Sequence, residues 1–183
     1  MTPMTVERFA AGREVQPADV LALAQEHGVR IFGSVTACYR GMAYLEQGRL
    51  EEARTILACA WEEAKSVGYK SIELRAAIYL ALTLGRLGEV RAALDMLRDA
   101  RNTARQQGFS GLEAEALLAE ATVTPVKNDS DVAAVIRSLR SCIEIATLSE
   151  ATPLRLKAET LLSKMLGDDA DAESLFQDGI RRI

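Results

Sequence analysis

Aromatic side chains are scarce in this chain, at 5% of its 183 residues, with a single tryptophan. A core with so few rings must be filled by aliphatic groups, and Ala and Leu carry much of the 49% hydrophobic share. Both favour helices, and Ala lets helices approach closely. Histidine occurs once, at His27. That excludes a metal site built on two imidazoles, and beside Gly28 the ring is expected only to meet carbonyls at a helix end. The three cysteines, Cys38, Cys59 and Cys142, are an odd count without metal-ligand spacing. They read as small buried apolar residues in a reducing compartment. No apolar run approaches the ~20 residues of a membrane-crossing helix. Met1 to Gly12 lacks the basic start and apolar core of a secretion signal, so a cytoplasmic location is expected. Alternating apolar and polar residues are missing too, which argues against strands. Nor is there an excess of positive charge: 22 basic residues face 26 acidic ones, for a net charge of −4. A general nucleic-acid binder needs a basic face to displace counterions, so neither nucleic acid nor membrane is an expected partner.

What the chain does have is a repeat. Glycines fall at Gly28, Gly68 and Gly108, and again at Gly48 and Gly88, both series stepping by 40. Ala24, Ala64 and Ala104 keep the step, as do Ala53 with Ala93, Leu57 with Leu97, Ala60 with Ala100 and Tyr39 with Tyr79. Within one unit, Ala37, Gly41, Tyr44 and Leu45 return at helical spacing over 34–47, and Gly48 supplies the left-handed stop. A second helix over 50–67 carries Ala53, Leu57, Ala60 and Ala64 on one stripe, and Gly68 ends it. The next unit repeats this as helices over 71–87 and 89–107, with Ser71 and Glu73 as start chemistry. Small residues at Gly41, Ala81, Ala53, Ala93, Ala60 and Ala100 mark where the two helices of a hairpin cross closely.

Later units drift. A helix over 111–121 is broken by Pro125, and a polar loop over 127–130 carries two inserted residues. With the offset raised to 42, 131–148 becomes the partner helix, with Val135, Leu139, Cys142 and Ala146 on its stripe. Thr152 and Pro153 open a further helix, as N-cap and first-turn residue, that runs to about Leu166. A last helix is expected over 170–182, with Arg181 and Arg182 complementing its dipole. At the other end, Pro17 opens a helix through His27 that matches only the second half of a unit. Such an end reads as a cap over the apolar face, or as the edge of a longer array. The expected organisation is one domain over 1–183, all-α, of about eight to nine helices: an N-terminal cap over 1–30, then units over 31–68, 69–108, 109–149 and 150–183.

Residues 37–60 resemble the tetratricopeptide repeat family. That pattern has a small residue at its eighth place, an aromatic at the eleventh, Gly at the fifteenth, Ala at the twentieth, a large apolar residue at the twenty-fourth and Ala at the twenty-seventh. Those places hold Gly41, Tyr44, Gly48, Ala53, Leu57 and Ala60, and in the next unit Ala81, Leu84, Gly88, Ala93, Leu97 and Ala100. The family's usual period is about 34, against 40 here, which implies longer helices. The longer unit looks like the C-terminal helical arrays of bacterial signalling ATPases, including relatives of the maltose-regulon activator and of ATPase-linked adenylate cyclases. The resemblance implies a right-handed α-solenoid of antiparallel helix-turn-helix hairpins and a protein-binding role. It also implies an alternative: a ligand- or peptide-sensing regulatory module serving an ATPase, cyclase or transcription regulator. No GxxxxGK[ST] loop occurs, so nothing catalytic carries over.

If the family's geometry holds, the second, fifth, ninth, twelfth and thirteenth places of each first helix line a concave groove. They are Val35, Cys38, Met42, Leu45 and Glu46, then Arg75, Ile78, Leu82, Gly85 and Arg86, then Glu115 and Leu118. This is an apolar floor with charges at its edge, suited to a partner helix or apolar peptide. The chain's own terminal helices, or a second copy forming a homodimer, are the alternative covers. No convergent catalytic set, cofactor motif or metal site is read. Gly85 to Gly88 lies at a helix C-terminus, the wrong end for a phosphate. The paired acids Glu51-Glu52, Glu62-Glu63 and Asp168-Asp169 read as solvated faces, and Trp61 as packing between repeats.

Overall fold

In the computed structural model, which describes residues 31–166, helices form wherever apolar residues return at three- and four-residue steps. They are α1 (Ile31–Glu46), α2 (Leu50–Ser66), α3 (Lys70–Arg86), α4 (Val90–Gln106), α5 (Ser110–Val123), α6 (Asp129–Leu148) and α7 (Thr152–Leu166). The described residues contain no strand, and none of their helices is long and apolar enough to cross a membrane. The helices expected over 17–27 and 170–182, with His27 and the Asp168-Asp169 pair, lie outside the described residues.

The turns are more regular than a 40-residue unit requires. Gly48, Gly68, Gly88 and Gly108 all hold positive φ, between 73° and 89°. At each, the glycine N–H reaches back three residues and the following N–H reaches back five, as in Gly48 N to Leu45 O (3.1 Å) and Arg49 N to Tyr44 O (2.9 Å). This is a Schellman-type end, which satisfies carbonyls that the helix leaves orphaned. The turn within a unit and the turn between units are therefore the same device, so the backbone repeats every 20 residues while the side chains repeat every 40. Helix starts differ from expectation. Ser71 lies inside α3, and the cap position is held by Tyr69, whose side chain caps nothing. Arg49, Glu89 and Phe109 occupy the same position in the same way.

Where the sequence drifts, other chemistry takes over. Helix α5 stops at Val123, ahead of Pro125, and Thr124 turns to extended backbone. Helix α6 starts two residues earlier than expected, at Asp129, because the Asn128 side chain accepts from Asp131 N (3.1 Å). The Asp131 carboxylate in turn accepts from Lys127 N (3.0 Å). At the end of α6 the same Schellman pattern recurs around Glu150, a non-glycine residue at φ 56°, with Ala151 N bonded to Ala146 O at 2.8 Å. Thr152 is the first residue of α7 rather than its cap; Ala151 O accepts from Leu154 and Arg155.

Among the described residues, each helix packs against the next in sequence. In addition, α1 packs on α3, α3 on α5 and α5 on α7, whereas α2, α4 and α6 meet only the helices beside them in sequence. The interior is largely Ala and Leu. Ala53, Leu57, Ala81, Ala93 and Leu97 form one buried cluster with Ile78 and Leu45. Leu117, Val135, Leu139 and Cys142 form another between α5, α6 and α7. Trp61 packs against two of the clusters, as expected of a residue between repeats. The small residues earn their place. A Cβ on Gly41 would lie 2.5 Å from Leu57 Cγ, and one on Gly85 would lie 2.7 Å from a methyl of Val123, where α3 and α5 meet.

Candidate functional site

Helices α1, α3, α5 and α7 pack on one another in that order and share a surface. Val35, Arg75, Glu115 and Lys157 hold equivalent places on them, a row in sequence register stepping by 40, 40 and 42. Arg75 is its hub. Its Nη1 donates to the Tyr39 hydroxyl on α1 (3.2 Å), and its Nε stands 3.5 Å from Glu115 Oε2 on α5. The second contact is an ion pair without hydrogen-bond geometry: Glu115 Oε2 is buried and accepts no hydrogen bond. Burial pushes the Glu115 carboxyl above the ordinary glutamate value, against the pull of Arg75 and of Lys157. Burial, with Glu115 next in weight, raises the neighbouring Tyr79 phenol to about 12. It also raises the Cys38 thiol to about 11, so both stay protonated at neutral pH and Cys38 is no nucleophile.

Two clefts open on this face. One, of about 520 Å³, lies between α3, α5 and the start of α7, with Arg75 and Glu115 in its wall beside Ser71, Phe109, Gly111 and Pro153. The other, of about 420 Å³, lies between α5 and α7 and is lined by Leu118, Leu156 and Leu161 with Thr122, Lys157 and Thr160.

The residues expected to line a groove divide in two. Cys38, Leu45 and Ile78 are interior. Cys38 packs with Ala60, Ala64, Ile72 and Ala76, while Leu45 and Ile78 lie in the main cluster with Leu57 and Ala81. Their places point between helices instead of out of the face, because first helices packed on one another bury the middle of the stripe. Val35, Met42, Arg75, Leu82, Glu115 and Leu118 are half-buried, with part of each side chain at the surface. Arg86 is exposed, but its Nη1 donates to Leu45 O (2.8 Å), tying the end of α3 to the end of α1. Glu46 is exposed as well.

Three participants went unread in the sequence. Lys157 could have been found by carrying the 42-residue offset forward from Glu115. Tyr39 and Tyr79 were visible as a repeated pair, but the bond that Tyr39 takes from Arg75 is a matter of side-chain geometry. Cysteine behaviour also divides: Cys38 and Cys142 are buried, the latter's Sγ donating to Ala114 O (3.3 Å), whereas Cys59 is exposed, contrary to expectation.

A second polar cluster sits on the other side, between α4 and α5. Glu120 pairs with Arg101 (2.8 Å) and Glu113 with Arg105 (2.7 Å). Burial raises the Glu120 carboxyl despite Arg101, Arg98 and Arg105. These acids bind helix to helix, although Glu120 Oε1 and Arg101 Nε are buried without a hydrogen-bond partner.

No family model, curated protein or solved structure matches the chain.

Proposed function

We propose that the chain is a protein-interaction scaffold of tetratricopeptide type: a right-handed solenoid whose first helices line a concave groove that receives a partner helix or apolar peptide. The observation that carries this reading is the face shared by α1, α3, α5 and α7. Met42, Leu82 and Leu118 are half-buried on these helices, and Leu118 also lines the apolar cleft walled by Leu156 and Leu161. The partially buried apolar side chains offer area to a partner, and the Arg75, Glu115 and Lys157 row offers charges that fix its register.

The test is capture of a binding protein from native lysate by the parent chain and by Leu82→Glu and Leu118→Glu variants. The expected result is a partner held by the parent and lost from both variants, with melting temperatures preserved. A partner retained by both variants would overturn the groove as the contact. Light scattering on the same proteins separates a second copy from a foreign partner: a dimer that the glutamates dissociate would identify the occupant as the chain itself.

A further inference from the structure

We infer that the groove between α5 and α7 selects an acidic amphipathic helix, a partner whose apolar stripe is flanked by carboxylates seven residues apart. This names the partner chemistry of the scaffold reading and rests on it.

The groove offers apolar walls and charge of one sign. Leu118, Leu156 and Leu161 are half-buried along it, so part of each side chain is left for a partner to cover. The threonines beside them have spent their hydrogens. Thr122 Oγ1 donates to Leu118 O and Thr160 Oγ1 to Leu156 O, each at 2.8 Å. Lys157 is therefore the charged group in the lining, exposed and without an ion pair among the described residues. Lys164 is exposed and unpaired in the same way, and at seven residues on it falls on the same side of α7.

The acids beside these lysines are engaged elsewhere. Glu115 on α5 feels Lys157, but it is paired with Arg75 at 3.5 Å. Glu159 on α7 is paired with Arg155 at 2.9 Å. The α7 side of the groove thus carries two unpaired positive charges, in a chain whose net charge is −4. An apolar floor with cations along one edge is complemented by an apolar stripe with anions along one edge.

Spacing selects the partner's conformation. Two helical turns set the Lys157 and Lys164 positions roughly 10 Å apart. A partner helix repeats that interval at i and i+7, with an apolar residue at i+3 or i+4 between them. In an extended peptide, side chains on one face recur at roughly 7 and 13 Å, and neither interval matches.

The experiment measures binding of three synthetic helical peptides of about 18 residues, long enough to hold a helix in water. They share one leucine stripe and differ at two flanking positions seven apart, which carry Glu, Gln or Lys. The full chain is expected to bind the Glu peptide best and the Gln peptide about three- to tenfold more weakly. The Lys peptide is expected to bind most weakly, and the preference to shrink at about 1 M salt. In the double variant Lys157→Glu with Lys164→Glu, both at exposed positions, the order is expected to invert. Leu118→Glu is expected to release all three peptides. If the three bind alike, or if the double variant still prefers the Glu peptide, the charge selects nothing and this inference falls while the scaffold reading stands. If none binds, as a groove closed by a second copy would give, this inference also falls. The scaffold reading is then decided by its own capture experiment at Leu82 and Leu118.

Discussion

Among the described residues, Glu150 occupies a backbone conformation otherwise given only to glycine. Its φ of 56° is set by the Schellman end of α6, and an L side chain there carries left-handed strain. Glu150→Gly is expected to stabilise the fold by about 0.5–1 kcal/mol, read as a rise in melting temperature. The reverse holds at Gly41, where a Cβ would sit 2.5 Å from Leu57 Cγ and Leu57 has no free space to retreat into. Gly41→Ala is expected to cost about 1–3 kcal/mol in denaturant unfolding, and Gly41→Leu more. At Glu115 the relevant variable is pH. Its folded carboxyl titrates above the ordinary value of 4.5, so the folded chain keeps a proton that the unfolded chain gives up. Its contribution to stability is whole below pH 4.5 and is lost as pH rises from there through the raised value. Glu120, raised in the same direction by burial, adds to the same decline. Melting temperatures measured across that window should fall less steeply in Glu115→Gln than in the parent, and an unchanged slope would show that the carboxyl is not held off from ionising.

At the scale of helices, the caps decide which ends are sturdy. Helix α6 is the one whose cap position carries a bonding side chain among α2 to α6, and Asn128→Ala is expected to cost about 1 kcal/mol. The same contrast explains what could be read beforehand. The ends at Gly48, Gly68, Gly88 and Gly108 were legible because positive φ demands glycine. The end at Glu150 was not, because strain leaves no mark in composition. The start of α6 was misplaced by two residues because Asn128 looked like loop and acted as a cap. In the candidate site, Arg75 and Glu115 could be placed by register, since equivalent places in a repeat land on one face. What register could not give was depth. Cys38, Leu45 and Ile78 share that stripe but are closed over by the packing of α1 on α3 and α3 on α5. Nor could it give the conversion of one arginine into a bridge between Tyr39 and Glu115, which depends on rotamers.

Across the whole molecule, burial is uneven. Helix α3 packs on α1, α2, α4 and α5, and its interior runs from Ile72 to Leu84, whereas α7 meets only α5 and α6 among the described residues. Amide exchange should therefore be slowest in α3 and fastest in α7, since opening a helix with few neighbours exposes little apolar surface. Equal protection in the two would mean that the chain opens only as one block. The twenty-residue turn has a further consequence. Because the bend after α1 and the bend after α3 share one geometry, residues 49–88 can be cut out with no new loop, joining Gly48 to Glu89. The splice would set α4 against α1 in place of α2, with Ala93, Leu97 and Ala100 standing where Ala53, Leu57 and Ala60 had been. Length in this architecture is thus a copy number, open to change by deletion or duplication without redesign of a single bend.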